Sequence, residues 1–174
     1  MAVKSMRAIP PRRATGTAHE LTCLDPQLSD PAPTIGRMRA SGTFTVDSFV
    51  PTGPKPEPEV VTALPVGVAT MTKTFEGEVA GRSTTLFTAA FDQESGVGTY
   101  IAMESFEGAL AGHEGAFNFV HSATTTGSDR VGEYFTIVPS SGTAALAGIS
   151  GGGGIAVDED GTHRIWFDFE IAGQ

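Results

Sequence analysis

Residues 97–125 read VGTYIAMESFEGALAGHEGAFNFVHSATT, and their alternation decides the fold. In the second half Phe117, Phe119 and His121 fall on every second residue, opposite Asn118 and Ser122. Successive side chains of a strand point to opposite faces, so the two sets meet different environments. In the first half Tyr100, Ala102, Glu104 and Phe106 share one face, and Ile101 and Met103 the other. Between the halves stands Gly112-His113-Glu114-Gly115, a turn signal. Strands over Val97–Glu107 and Gly115–Thr125, joined this tightly, predict an antiparallel hairpin.

The pattern repeats on both sides. Upstream, Ala40, Gly42, Phe44 and Val46 alternate with polar residues from Met38 onward. Strand-like runs follow at Val66–Glu76 and Arg82–Asp92, the latter with Phe87, Ala89 and Phe91 on one face. Downstream come Val131–Val138, with Phe135 and Ile137, a weaker run at Gly153–Asp158, and Thr162–Ile171, with Ile165, Phe167, Phe169 and Ile171. Further turn signals stand at Ala80-Gly81, Glu94-Ser95-Gly96, Gly127-Ser128-Asp129 and Asp160-Gly161. Pro51, Pro54, Pro56, Pro58 and Pro65 cannot donate to a ladder and are expected outside the sheet. Ser141–Ile149 is the best helical candidate, at most two turns long. The Gly-rich run Gly148–Gly154 is expected at a bulged rim.

Seven or eight strands with short connections predict an all-β antiparallel meander, and closure into an approximately eight-stranded barrel, lipocalin-like in outline, removes its two edges. A barrel of eight strands is just wide enough to fill with side chains or to hold one small ligand. The interior aromatic set is Phe44, Phe87, Phe91, Tyr100, Phe117, Phe119, Phe135, Phe167 and Phe169. These rings either pack the barrel solid or line a cavity. The second option makes all nine candidate ligand-binding residues.

The 174 residues carry 20 acidic and 11 basic groups, a net charge of −9. Residues 1–37 hold five basic and three acidic side chains, so residues 38–174 hold six and seventeen. A body this acidic repels phosphate backbones and anionic membrane surfaces, so neither nucleic acid nor membrane is an expected partner. Cys23 stands alone, which excludes an intrachain disulfide. Residues 1–37 contain five prolines and no sustained period, and are expected to be a disordered extension ahead of a single domain at 38–174. Their basic residues are followed by no apolar run of a secretory leader's length, so the expected location is cytoplasmic.

The blocks Met38-Arg-Ala-Ser-Gly-Thr-Phe-Thr-Val, Thr72-Lys-Thr-Phe-Glu-Gly, Glu104-Ser-Phe-Glu-Gly, Gly115-Ala-Phe-Asn-Phe-Val-His121 and Ser141-Gly-Thr-Ala-Ala-Leu-Ala-Gly148 resemble a bacterial family of small uncharacterised proteins. That family is a domain of unknown function with an allene oxide cyclase-like β-barrel. The resemblance runs in order from Met38 to Ile171. It implies an antiparallel barrel with a central cavity, often as a homodimer, and brings no substrate or mechanism, because function does not follow from fold.

Motif chemistry is sparse. The chain has no H-E-x-x-H and no phosphate loop, and its Gly-rich run Gly148–Gly154 lacks a strand–loop–helix context. Asp158-Glu159-Asp160 lacks the spacing and distal Glu of a calcium loop. No metal and no cofactor are expected. The polar candidates on an apolar face are His121, as a neutral base or hydrogen-bond donor, and Glu104, whose pKa desolvation would raise if its face is internal. Lys73, alternating with Met71 and Phe75, and Asp168, beside Trp166, are weaker. Two functions follow: binding of a small, mainly apolar molecule in the cavity, or a cofactor-free isomerase or cyclase using Glu104 and His121 as acid and base.

Overall fold

The computed structural model describes residues 36–53, 57–127 and 129–173 of the chain. Its eight strands are β1 (Met38–Thr52), β2 (Val66–Gly77), β3 (Val79–Asp92), β4 (Val97–Leu110), β5 (His113–Thr126), β6 (Arg130–Ile137), β7 (Ile149–Val157) and β8 (His163–Ile171). They pair antiparallel in chain order, and β8 returns to β1 to close the barrel. The first strand was expected to start at Met38, and β1 starts there. The extension expected over 1–37 lies, up to Ile35, outside the described residues.

Alternation supplies the core. Phe75, Phe106, Leu110, Phe117, Phe119, Ile137, Ile165, Phe167 and Phe169 point inward and are buried. A 3-10 turn at Ala144–Leu146 closes this end of the barrel: Thr143 Oγ1 accepts from the Ala116 N–H at 2.9 Å, and Leu146 is fully buried against Gly115. Phe119 stacks on Phe135 at 5.1 Å, and Phe117 and Phe119 meet the edge of Phe167 at 5.3 and 5.2 Å. Offset and edge contacts of this kind add about 0.5–1.5 kcal/mol each beyond the area they bury.

Two bulges change which residues face inward. Between Val46 and Ser48, β1 has one residue more than β2, so the inward set Phe44 and Val46 continues as Phe49 and Pro51. Between Tyr134 and Val131, β6 has one residue more than β5, and Gly132 takes φ +61 there. The extra residue turns Arg130 to the same interior as Phe135 and Ile137.

Several local expectations are corrected. Pro51 lies within β1, opposite Ala69 of β2. Pairing of β1 with β8 ends at Phe44, so the missing N–H of Pro51 falls on a side with no partner strand. Ala80-Gly81 is not a turn but part of β3, where Gly81 lies across from Gly108 and a Cβ would meet the Glu107 carbonyl at 2.3 Å. Gly151–Gly154 is not a rim but the middle of β7, and a Cβ on Gly154 would stand 2.2 Å from the Trp166 ring. The helical candidate over Ser141–Ile149 yields only the three-residue turn.

Candidate functional site

The barrel is filled at one end and hollow at the other. The hollow end is an open cavity of about 660 Å³. Its lining divides by strand. Phe44, Val46, Phe49 and Pro51 of β1, Val68, Ala69 and Met71 of β2, and Phe87, Ala89 and Phe91 of β3 form an apolar wall. Tyr100 of β4, His121 and Thr125 of β5 and Arg130 of β6 form a polar one. The apolar wall is the taller, because β1 runs beyond the last residue that pairs with β8.

Of the aromatic candidates, Phe44, Phe87, Phe91 and Tyr100 line this cavity. Phe117, Phe119, Phe135, Phe167 and Phe169 do not: they pack in the filled end, below the level of His121. The choice between filled and lined therefore has a divided answer. Both kinds of ring share one face of the sheet, and only the distance along the barrel axis separates them.

A polar chain runs across the cavity wall. Arg130 donates from Nη2 to the Tyr100 hydroxyl at 2.8 Å, and its guanidinium lies 5.7 Å over the same ring. The Tyr100 hydroxyl is 3.1 Å from His121 Nδ1. His121 Nε2 faces Glu104 Oε2 at 3.4 Å, misaligned for a hydrogen bond. A carboxylate only accepts, so the Nε2 that faces it carries the proton and Nδ1 accepts from Tyr100. Beneath them Lys73 Nζ donates to Glu104 Oε2 at 2.5 Å and Ser83 Oγ to Oε1 at 2.6 Å. Lys73 also stands 5.0 Å over the Phe44 ring and reaches the cavity lining.

Glu104 itself is fully buried and does not line the cavity. Its face is internal, as alternation indicates, but the expected rise in pKa is reversed. Desolvation pushes upward, while His121, Lys73 and Ser83 together outweigh it and hold the carboxyl at about 2. His121 is shifted down: burial disfavours its charged form, Glu104 opposes that, and Lys73 and Arg130 add to it. At neutral pH the pair is thus a carboxylate and a neutral imidazole. The Tyr100 hydroxyl is pushed up by burial, against the pull of Arg130. Among the described residues no group of three or more His, Cys, Asp or Glu is placed to hold a metal ion.

Sequence reasoning missed Arg130 and Phe49, and gave Lys73 too little weight. Arg130 and Phe49 lie beyond bulges that reverse parity. Lys73 carried a usable signal, since Met71, Lys73 and Phe75 alternate as one inward set.

Fold and cavity define a class: a closed eight-stranded antiparallel barrel, packed with aromatic rings at one end and open at the other. Residues 40–169 match the family described as "Protein of unknown function (DUF3224)". The chain belongs to that family. It is similar to the crystal structure of a protein of unknown function from the same family in Shewanella oneidensis MR-1, with TM-score 0.65 and 27% identity over 78% of this chain and 98% of that one. No match is found among curated proteins. No helix of the described residues is long and apolar enough to cross a membrane.

Proposed function

We propose that the protein binds one small, mainly apolar organic molecule in the open end of its barrel. The observation that carries this reading is the unequal filling of the interior. Rings close one half, while the other half keeps a cavity inside the usual range of about 300–1,000 Å³ for small-molecule sites. Phe49, Phe87 and Tyr100 stand in a row there, with centroids 5.8 and 5.2 Å apart, and offer a surface to an apolar body. Phe49 is half exposed and Phe91 nearly so. Large aromatic side chains left this open on an interior wall are covered favourably by a ligand, at about 25 cal/mol per Å².

Acid–base chemistry by Glu104 and His121 is the weaker reading. Glu104 is buried under the lining and ionised by its partners, so it is poorly suited to deliver a proton, and His121 alone of the two reaches the cavity.

The test is titration with Nile red, a neutral apolar dye, followed by fluorescence. The expected result is saturation near one dye per chain. Ala89→Trp, which adds bulk to the cavity wall away from the packed end, is expected to abolish binding with the melting transition retained. No saturable binding by the native protein, or equal binding by the Trp variant, overturns the reading.

A further inference from the structure

The charges of the cavity run against those of the chain. The protein has 20 acidic and 11 basic side chains, yet the charged residues lining the cavity are Lys73 and Arg130, with no carboxylate among them. Lys73 is committed to Glu104 at 2.5 Å, a buried pair that compensates itself. Arg130 is not balanced in the same way. Its nearest carboxylate, Glu133, lies 3.5 Å from Nε, is 42% exposed and stands outside the lining. Such a long, solvated pair contributes little. Nη2 of Arg130 is used on Tyr100, while the buried Nε makes no hydrogen bond.

Arg130 Nε has company. His121 Nε2, on a side chain 7% exposed, and Thr85 Oγ1, on the inward face of β3 between Met71 and Glu104, are also buried without a partner. Buried polar atoms in native proteins are nearly all paired, and an unmade bond costs about 1–3 kcal/mol. Of the three residues, Arg130 and His121 line the cavity; His121 Nε2 is turned to Glu104 and Thr85 lies outside the lining, so Arg130 is the group that an acceptor oxygen in the cavity would match.

We infer that the ligand is an amphipathic monocarboxylic acid, its apolar body on the β1–β3 wall and its carboxylate on the β4–β6 wall against Arg130. This rests on the binding reading above and names its ligand class. The planar guanidinium fork fits a carboxylate, and a single cation whose own carboxylate partner is distant and solvated matches one negative charge rather than a phosphate dianion. Thr125 lies beside Arg130 in register and lines the mouth.

The experiment uses the full chain loaded with Nile red and displaces the dye with dodecanoate, methyl dodecanoate or dodecan-1-ol at low salt, pH 7.5. Dodecanoate is expected to bind at least about tenfold more tightly than either neutral compound. Added salt is expected to erode that preference. Arg130→Gln is expected to bring dodecanoate down to the level of the alcohol and leave the neutral compounds unchanged, and Arg130→Lys to retain part of the preference. Equal binding of acid, ester and alcohol by the native protein, with the dye still bound, overturns the acid while leaving the binding reading in place. Failure of the dye to bind overturns both. A preference that survives high salt and Arg130→Gln overturns the assignment to Arg130. Should the Gln variant fail to fold, the salt dependence and the Lys variant decide the same point.

Discussion

Glu104 is a carboxylate in the middle of an apolar barrel, held by Lys73 and Ser83 from two other strands and faced by His121 from a third. Removing one member of a buried pair leaves a charge without compensation, so Glu104→Gln is expected to cost about 3–5 kcal/mol in denaturant unfolding. The double variant Glu104→Leu/Lys73→Met removes both charges and is expected to recover most of that loss. A double variant as unstable as the single one would show that the pair stabilises the barrel rather than merely balancing itself. The pH dependence follows from the same groups. Exposed glutamate titrates near 4.5, and Glu104 in the fold at about 2, so its contribution is present above pH 4.5 and disappears as pH falls toward 2. His121 titrates below its ordinary 6.5 in the fold, so the unfolded chain takes up that proton first. Stability is therefore expected to decline from about pH 6.5 downward, with His121→Gln flattening the upper part of the decline. Urea midpoints measured from pH 8 to 3 check both parts, and a flat profile contradicts them. Alternation placed Glu104 on the correct face. The sign of its shift was not legible, because Lys73 and Ser83 lie 31 and 21 residues away in sequence and reach it only through strand register.

At the level of elements, the two bulges do the most to shape the site. Six strands were legible from period two to within a few residues, as was the hairpin of β4 and β5. The bulges were not: one extra residue leaves no compositional mark, yet it reverses every assignment beyond it. Gly132 holds the bulge in β6 at φ +61, in open space with nothing near its Cβ position. Gly132→Val is expected to cost about 1–2 kcal/mol from the left-handed backbone alone. Deleting Gly132 restores ordinary pairing and turns Arg130 outward, so the preference for the acid over the alcohol is expected to vanish while Nile red still binds. The filled end answers differently. Phe119→Ala removes a ring packed against Phe117, Phe135 and Phe167, and is expected to cost about 3–5 kcal/mol. Retention of dye binding in that variant near one equivalent separates the packed rings from the lining ones.

Over the whole molecule the ring of strands is uneven. Most neighbours share long ladders, but β6 and β7 meet in register only at Thr136 and Gly152. The glycines of β7 admit the Trp166 and Phe135 rings at the expense of side chains that would hold the seam. Hydrogen exchange is expected to be slowest for the ladder amides of β3, β4 and β5 and fastest, within the sheet, along β6 and β7. Uniform protection around the ring would contradict this. That the chain forms a closed barrel was readable from strand number and turn spacing. That the barrel is half solid was not, since, Phe49 apart, every inward Phe obeys the same period whether it meets another ring or open space.

The separation of packed rings from open cavity along the axis has a consequence for how such a barrel diversifies. Substitutions among Phe49, Val68, Phe87 and Phe91 fall on partly solvated walls, away from the rings that hold the fold above its stability threshold. The lining is therefore free to drift, and on the binding reading proposed above a barrel that keeps the aromatic plug can exchange one guest for another without passing through an unfolded ancestor.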